Sequence, residues 1–478
     1  MSSSLPDCRD GAALLELAQK IVAASPADET EVTVQRTEDA YVRFADSGPT
    51  QSADRSGLQI AVRARLAPQG GGPGFREARA TSSSTAEADT ARAVERAVAL
   101  ARVSPVTADA PGLAADSCGP QAIPPGVTAM LDQSAADRIA ATTRLVRYAL
   151  DGCAAESLAP AGLVQLTALG TALANSVGRG VFAARGRAAM ALTASHAQGG
   201  SGWAEDIRGS LTDLAPAGAG PADGPADGIS VVERALAKAR QNREPQSIAA
   251  GEYTVVLEPA AVASLLLFAS YCGFGAREVA EESSMLCGRI GERAFSPLIS
   301  ISDDAADRRH GGLPFDGEGN PRHRVALVEE GVLREPVTDA LWAARLGREN
   351  TGHGIGQPDP HGPLPQNLIL ACGQASRADL LAGVKRGLLV TQFHYTNMIE
   401  PRDLTLTGMT RNGTFLIEDG EVCGPVKNLR FTDSLVRILA NVSAVGDEAA
   451  ACGALFDGEL LTPALRVEGF RFTSTTDF

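Results

Sequence analysis

The segment Gly57–Leu66, GLQIAVRARL, constrains this chain more than any other feature of its sequence. Leu58, Ile60, Val62, Ala64 and Leu66 recur at period two, with Gln59, Arg63 and Arg65 between them. A strand sends alternate side chains to opposite faces, so the pattern demands a sheet with one apolar face and a layer to cover it. Glu31–Arg36 and Tyr41–Asp46 alternate in the same way, and FREARATS follows the turn-forming glycines Gly70–Gly72 and Gly74 as a return strand. The covering layer is legible as helices. Arg9–Ala24 carries Leu14, Leu15, Leu17, Ile21 and Val22 on one stripe, and Ser134–Leu150 has helical character. Ser84 with Glu87 predicts a capping box for a helix reaching about Arg102, with Ala91, Val94, Ala97, Val98 and Ala101 inward. Aromatics are only 4% of the chain, so small residues must fill much of the core.

Further strands are expected near Leu163–Ala168, Thr171–Ser176 and Val181–His196. The run from Ala215 to Gly228, APAGAGPADGPADG, reads as a linker or exposed loop, because Gly, Pro, Ala and Asp in that mix cannot pack a core. A helix at Ser230–Gln241, a strand at Tyr253–Leu257 and an apolar helix after Pro259 follow. Beyond Ser296 strands and turns prevail. Glu330-Gly331, Asn412-Gly413 and Asp419-Gly420 lie between alternating runs, the last two as hairpin signals. The expected class is α+β. Residues 1–228 form an N-terminal α/β domain with a mixed or antiparallel sheet, and residues 229–478 a mainly β domain.

The formal charge of −14 argues against general nucleic-acid binding and against adsorption to anionic lipid. No basic and then apolar leader opens the chain. The apolar run Ala260–Ala276 is short, rich in Ala and Ser and broken by Gly273 and Gly275, which favours a buried helix over a membrane span. Eight scattered cysteines without a CxxC pair suit reduced thiols in a cytoplasm.

Common catalytic signatures are missing: the sequence holds no G-x-S-x-G, no G-x-x-x-x-G-K-[ST] and no HExxH. Its six histidines include no pair three or four residues apart, so no helical two-His zinc face is written into it. Asp303, Asp304, Asp307 and His310 read as a solvated charged loop. His353 and His361 lie in TGHGIGQPDPHG, an extended loop of a kind that lines sites, though each reads first as an exposed histidine. In GLLVTQFHYTN a regular strand would put Phe393 and Tyr395 on one face and a solvated His394 on the other. Asp316-Gly317-Glu318-Gly319 brings two carboxylates together. They could serve as an acid–base pair if a cleft separated their pKa values, but the segment reads more simply as a glycine-assisted turn.

The order of several segments carries a resemblance. GEYTVVLEPAAVASLLL, SSMLCGRIGERAFSPLISISDD, PFDGEGNPRHRVALVEEGVL, DALWAARLGRENTG, PLPQNLIL and GTFLIEDGEVCGPVKNLRF resemble, in that order, the TldD/PmbA family, once described as modulators of DNA gyrase. FREARATSS and ALANSVGRG extend the similarity into the first half. The resemblance implies an N-terminal α/β domain and a C-terminal pseudo-barrel of antiparallel strands. It also implies a zinc peptidase system. TldD-like members carry HExxxH on the helix after the first C-terminal strand and a later cysteine ligand, and they pair with TldE-like (PmbA-like) members that lack the motif. Here that helix reads LLLFASYCGFGA, with Phe268 or a neighbour where the first ligand would stand, and only Cys452 near the place of the cysteine.

The resemblance therefore implies a TldE-like subunit with no cofactor of its own, zinc in a TldD-like partner, and a peptide or peptide-like substrate. It would be a cytoplasmic heterodimer or larger complex, binding neither nucleic acid nor membrane. No catalytic or metal residue is assigned; His353, His394 and Tyr395 are the candidate substrate contacts. Two alternatives stand beside it. One is an enzyme with a relocated site drawing on His353, His361, His394 or Cys452. The other is a binding or tailoring protein in the maturation of a natural product or modified peptide.

Overall fold

The computed structural model describes residues 6–116, 118, 121–197, 199–214, 230–453 and 458–476. The first half runs α1 (Gly11–Ala23), β1 (Glu29–Ala45), β2 (Gly48–Leu66), β3 (Phe75–Ser82), α2 (Glu87–Val103), β4 (Val106–Thr107), α3 (Pro125–Leu131), α4 (Ala135–Ala155), β5 (Ala159–Asn175), β6 (Gly180–Ser195), β7 (Ser201–Arg208) and α5 (Val231–Gln241). Its strands form one antiparallel sheet in the order β4-β3-β2-β1-β5-β6-β7. The even-numbered side chains of β1, including Val32, Val34, Ala40, Val42 and Phe44, are buried, as the alternation requires. Helices α1 and α2 cover one end of that face and α4 and α5 the other. The Gly/Pro/Ala run 215–228 lies outside the described residues. Helix α5 opens with a capping box from Ser230 and Glu233 and packs on β6 and β7.

Three local expectations are corrected. The two strands read at Glu31–Arg36 and Tyr41–Asp46 are one strand of 17 residues. The polar residues between them do not break it, because each finds a partner: Arg36 pairs with Glu38 (2.9 Å), and Asp39 accepts from Arg55 and Gln165. Likewise β5 runs unbroken through Gly170, where a Cβ would come 2.4 Å from the Cys8 carbonyl oxygen. Helix α2 has no capping box. It begins at Glu87 after Ala86, and Ser84 Oγ instead accepts from the Ala86 amide.

The second half runs β8 (Gly251–Leu257), α6 (Pro259–Cys272), α7 (Ala276–Ala280), β9 (Ile301–Asp303), β10 (Val325–Glu329), β11 (Val332–Leu333), α8 (Ala340–Leu346), β12 (Leu368–Leu370), α9 (Arg377–Ala382), β13 (Arg386–Glu400), β14 (Thr405–Glu418), β15 (Glu421–Pro425), β16 (Leu429–Ser434), α10 (Leu435–Ala440), β17 (Val442–Gly453) and β18 (Glu459–Thr475). Successive pairing of β8, β13, β14, β16, β18 and again β8 closes a five-stranded barrel. The β8–β13 pair is parallel and the other four are antiparallel. Phe393, Phe431 and Phe470 meet in its core with ring centroids 4.6–5.6 Å apart. Asp419-Gly420 turns β14 into β15 as expected. Asn412-Gly413 does not turn the chain. Both residues have positive φ, and they form a bulge inside β14 opposite β13. No helix among the described residues is long and apolar enough to cross a membrane.

Candidate functional site

The odd-numbered face of β1 supplies the floor of a cleft between the two halves. Glu31, Thr33 and Gln35 point there, beside Leu173 and Thr171 of β5 through the register Thr33↔Leu173 and Gln35↔Thr171. Residues 313–322, 354–356 and 366–367 of the second half form the roof. Together they enclose a cavity of about 290 Å3 lined by Thr171, Arg79, Phe315, Arg322, Ile355 and Asn367, among others.

A tight turn anchors the roof. The Gly319 amide donates to the Asp316 carbonyl (3.0 Å), and Gly319 has a positive φ, so Asp316–Gly319 is the turn that its sequence suggests. It is also buried, which the sequence did not disclose. Asp316 accepts from the amides of Glu318 (2.9 Å), Asn320 (2.8 Å) and Gly354 (2.8 Å). Glu318 receives Arg63 of β2 at 3.2 Å, and Arg63 also holds Glu77 (2.7 Å) and Glu31 (3.6 Å). Arg179 donates to the Glu318 carbonyl (2.6 Å) and to Asn320 Oδ1 (2.9 Å). Burial, with the Glu318 charge adding to it, pushes Asp316 and Asp339 up to about 7. Burial also raises Glu31 to about 7 against the pull of Arg63.

Behind this turn sits a second buried group. Asp303 is wholly enclosed and accepts from Arg322 (2.6 Å), His353 Nε2 (2.9 Å) and the Asn367 amide (2.6 Å). Burial alone would raise its pKa, but Arg322 and then His353 overcome this and hold it well below the usual carboxylate range. The solvated loop read at Asp303–His310 is therefore corrected at both ends: Asp303 and His310 are buried. His353 is not an exposed histidine either. Its side chain is enclosed, Nδ1 lies 3.0 Å from the carbonyl and hydroxyl oxygens of Thr351, and burial lowers its pKa. His361 is half-exposed, 2.7 Å from Asp359, with its ring against Tyr271 of α6.

His394 and Tyr395 lie together, but the regular alternation expected for them fails. Tyr395 has φ of 51° within a register shift of β13, which turns its ring onto His394 edge to face, with centroids 4.3 Å apart. Tyr395 is 71% exposed, and His394 faces Arg411 at 3.0 Å. Among the described residues no hydrogen bond, ion pair or ring contact joins this pair to His353.

Helix α6 buries Leu265, Leu266, Ala269 and Ser270, while Ser264, Leu267, Phe268, Tyr271 and Cys272 make a half-buried stripe. Burial and then Glu278 push the Cys272 thiol up to about 11. Cys452 is buried on β17 against Glu205 of β7; burial, and then that carboxylate, push its thiol far upward, which opposes the thiolate a metal needs. Among the described residues no three His, Cys, Asp or Glu side chains group as a metal ion would require.

Sequence reasoning missed Glu31, Arg63, Arg79, Thr171, Glu205 and Asp339. The signal for four of them is parity: Glu31 and Arg63 fall on the polar register of strands whose other face is core, as do Arg79 and Thr171 through their cross-strand partners.

Residues 250–474 match the family model described as the PmbA/TldA metallopeptidase C-terminal domain. The second half of the chain is a PmbA/TldD-family domain. Relatives of the chain include a metalloprotease TldD homologue of Haemophilus influenzae, 30% identical over 232 residues, which are 48% of this chain and 47% of that one. A metalloprotease PmbA homologue of the same organism is 25% identical over 244 residues, 50% and 51% of the two chains. The matched stretch thus spans about half the length of these curated relatives. TldE from Thermococcus kodakarensis has the same fold, with a TM-score of 0.80 at 21% identity over 97% of this chain and 99% of that one. A Thermotoga maritima protein described as a modulator of a DNA gyrase follows at 0.77 and 18%, covering 96% and 99%.

Proposed function

We propose that this chain is a TldE-type subunit, without a zinc site of its own, of a heteromeric peptidase that cleaves or matures peptides. The observation that carries the reading is the half-buried stripe of α6, Ser264, Leu267, Phe268, Tyr271 and Cys272, which offers neither histidine nor carboxylate on the helix where the resemblance expects HExxxH. Metal-assisted amide hydrolysis needs an open metal position, an activated water and a base. A TldD-type partner would supply all three, and this chain would add walls to a shared chamber in the cytoplasm. His394 and Tyr395 are the proposed contacts to substrate, being partly open to solvent. His353 would act at one remove, by holding Asp303 and with it Arg322 in the wall of the cavity. The likeness to TldE along the whole chain supports the subunit reading, and the charge of −14 supports a peptide over a nucleic-acid substrate.

The test compares peptide hydrolysis by this chain, by a TldD-type protein and by their mixture, with zinc counted in each. Activity confined to the mixture, with zinc in the partner, is the expected result. Turnover by this chain alone that resists chelators, or full activity of the partner alone, would sink the proposal.

A further inference from the structure

One arginine at the cleft lacks what its neighbours have. Arg63, Arg65 and Arg322 each meet a carboxylate, and Arg179 is spent on the Glu318 carbonyl and Asn320. Arg79 of β3 reaches the same cavity, donates from Nη1 to the Gly356 carbonyl (3.0 Å), and has no ion-pair partner among the described residues. A half-buried guanidinium with no carboxylate in direct contact is costly, and burial, only partly offset by Glu31 and Asp359 farther off, depresses its pKa. Gly356 is what lets it lie there, since a Cβ at that position would come 2.4 Å from Arg79 Nη1.

A second, independent observation lies on the floor of the cavity. Thr171 is 4% exposed, and its hydroxyl has no hydrogen-bond partner. The large majority of buried side-chain polar atoms are satisfied, so an enclosed hydroxyl bordering a cavity marks a place for a ligand atom. Arg322 Nε, on the opposite wall, is buried and unpartnered as well. Leu169, Leu173, Leu313, Phe315 and Ile355 form the apolar part of the lining. The Asp316 carboxyl, which would repel an anion, is tied down by the three backbone amides of its own roof.

We propose that this cavity binds a carboxylate carried next to an apolar side chain, with Arg79 and the Thr171 hydroxyl on the carboxylate and the leucines and Ile355 around the side chain. At about 290 Å3 it is near the lower limit of small-molecule sites, which suits one or two residues. Such a group comes from the C-terminus of a short peptide or from a free amino acid. The choice of ligand rests on the peptide-processing role proposed above; the site rests on its own geometry.

The experiment titrates the full chain, alone, with acetyl-Ala-Leu bearing a free carboxylate, with the same peptide as its amide, with leucine and with inorganic phosphate. Calorimetry reads binding and thermal melting reads folding. The acid should bind at least about tenfold more tightly than the amide, as expected for a charge-assisted hydrogen-bonded pair. Arg79→Ala should lose about tenfold or more, and Thr171→Val about threefold. Leucine binding as tightly as the peptide supports the site with a free amino acid as its ligand. Equal affinity for acid and amide, no binding by either, or phosphate binding as well as the acid would each overturn the proposal. Should Arg79→Ala fail to fold, the comparison of acid with amide on the unaltered chain still decides. Because no partner or turnover enters, failure here leaves the subunit reading standing. Failure of the mixture assay with carboxylate binding intact would remove that reading instead.

Discussion

Arg63 of β2 and Glu318 of the roof turn form a 3.2 Å ion pair across 255 positions of sequence, and both side chains are buried. The pair joins the halves at the edge of the cavity, and Arg63 also serves Glu31 and Glu77. Breaking a buried pair by removing one partner strands the other charge. Arg63→Met should therefore cost about 3–5 kcal/mol of stability. Equilibrium unfolding in urea checks this, and a loss below about 1 kcal/mol would mean that water already reaches the cluster.

The same cluster predicts how stability follows pH. Glu31, Asp316 and Asp339 are raised to about 7 in the folded chain, by burial first and by neighbouring carboxylates next. Their unfolded values lie near 4, so between about pH 4 and 7 the folded state holds more protons. The stability they contribute is complete below about pH 4 and is lost as pH rises to about 7. Asp303, depressed in the folded state, works in the opposite sense and penalises strong acid. Unfolding free energy should thus be greatest in mild acid and fall by several kcal/mol from pH 5 to 8. Asp339→Asn, which keeps the Oδ1 cap on the Trp342 amide, should flatten that fall. A rising profile over this range would refute the assignment.

Leu266 is fully enclosed on α6, whereas Phe268 belongs to its half-buried stripe. Leu266→Asp should cost at least about 4 kcal/mol by burying an unpaired charge, and Phe268→Asp distinctly less. Similar melting temperatures for the two variants would contradict the orientation of the helix.

The two candidate histidines should separate by readout. His353→Ala deprives a buried carboxylate of one of its three donors and should lower the melting point by several degrees. His394→Ala should leave melting unchanged and reduce turnover of the mixed subunits without dissociating them. If instead His394→Ala leaves kinetics intact, His394 drops out of the site and the subunit proposal is unaffected.

Much of the fold was legible because its signals are local. FREARATS is strand β3 from its first residue to its last, and the stripe of Arg9–Ala24 is helix α1 less its ends. The Ser230–Glu233 box caps α5, as the pattern allows. The errors lie where distant partners override local preference. Glu38 and Asp39 look like strand breakers, yet Arg36 of the same strand pairs with Glu38 and Arg55 of β2 with Asp39, which keeps both inside β1. Asn412-Gly413 has the composition of a hairpin, but β13 continues past it and absorbs the pair as a bulge. The candidate cavity was the least legible part. Its floor comes from the polar register of strands in the first half and its roof from glycine turns in the second. Polar residues on a strand ordinarily mean solvent, and only the docking of the two halves gives Thr171 and Arg79 another environment.

The closed barrel has a consequence for the order in which the molecule can be made. Strand β8 is synthesised early in its half, but its neighbour β18 comes last, so the ring cannot shut until the end of β18 has left the ribosome. Until then the edges of β8 and β16 are unpaired, and the Thr171 floor waits beneath an unfinished roof. Nascent and C-terminally clipped chains should therefore be the forms that chaperones hold and proteases remove.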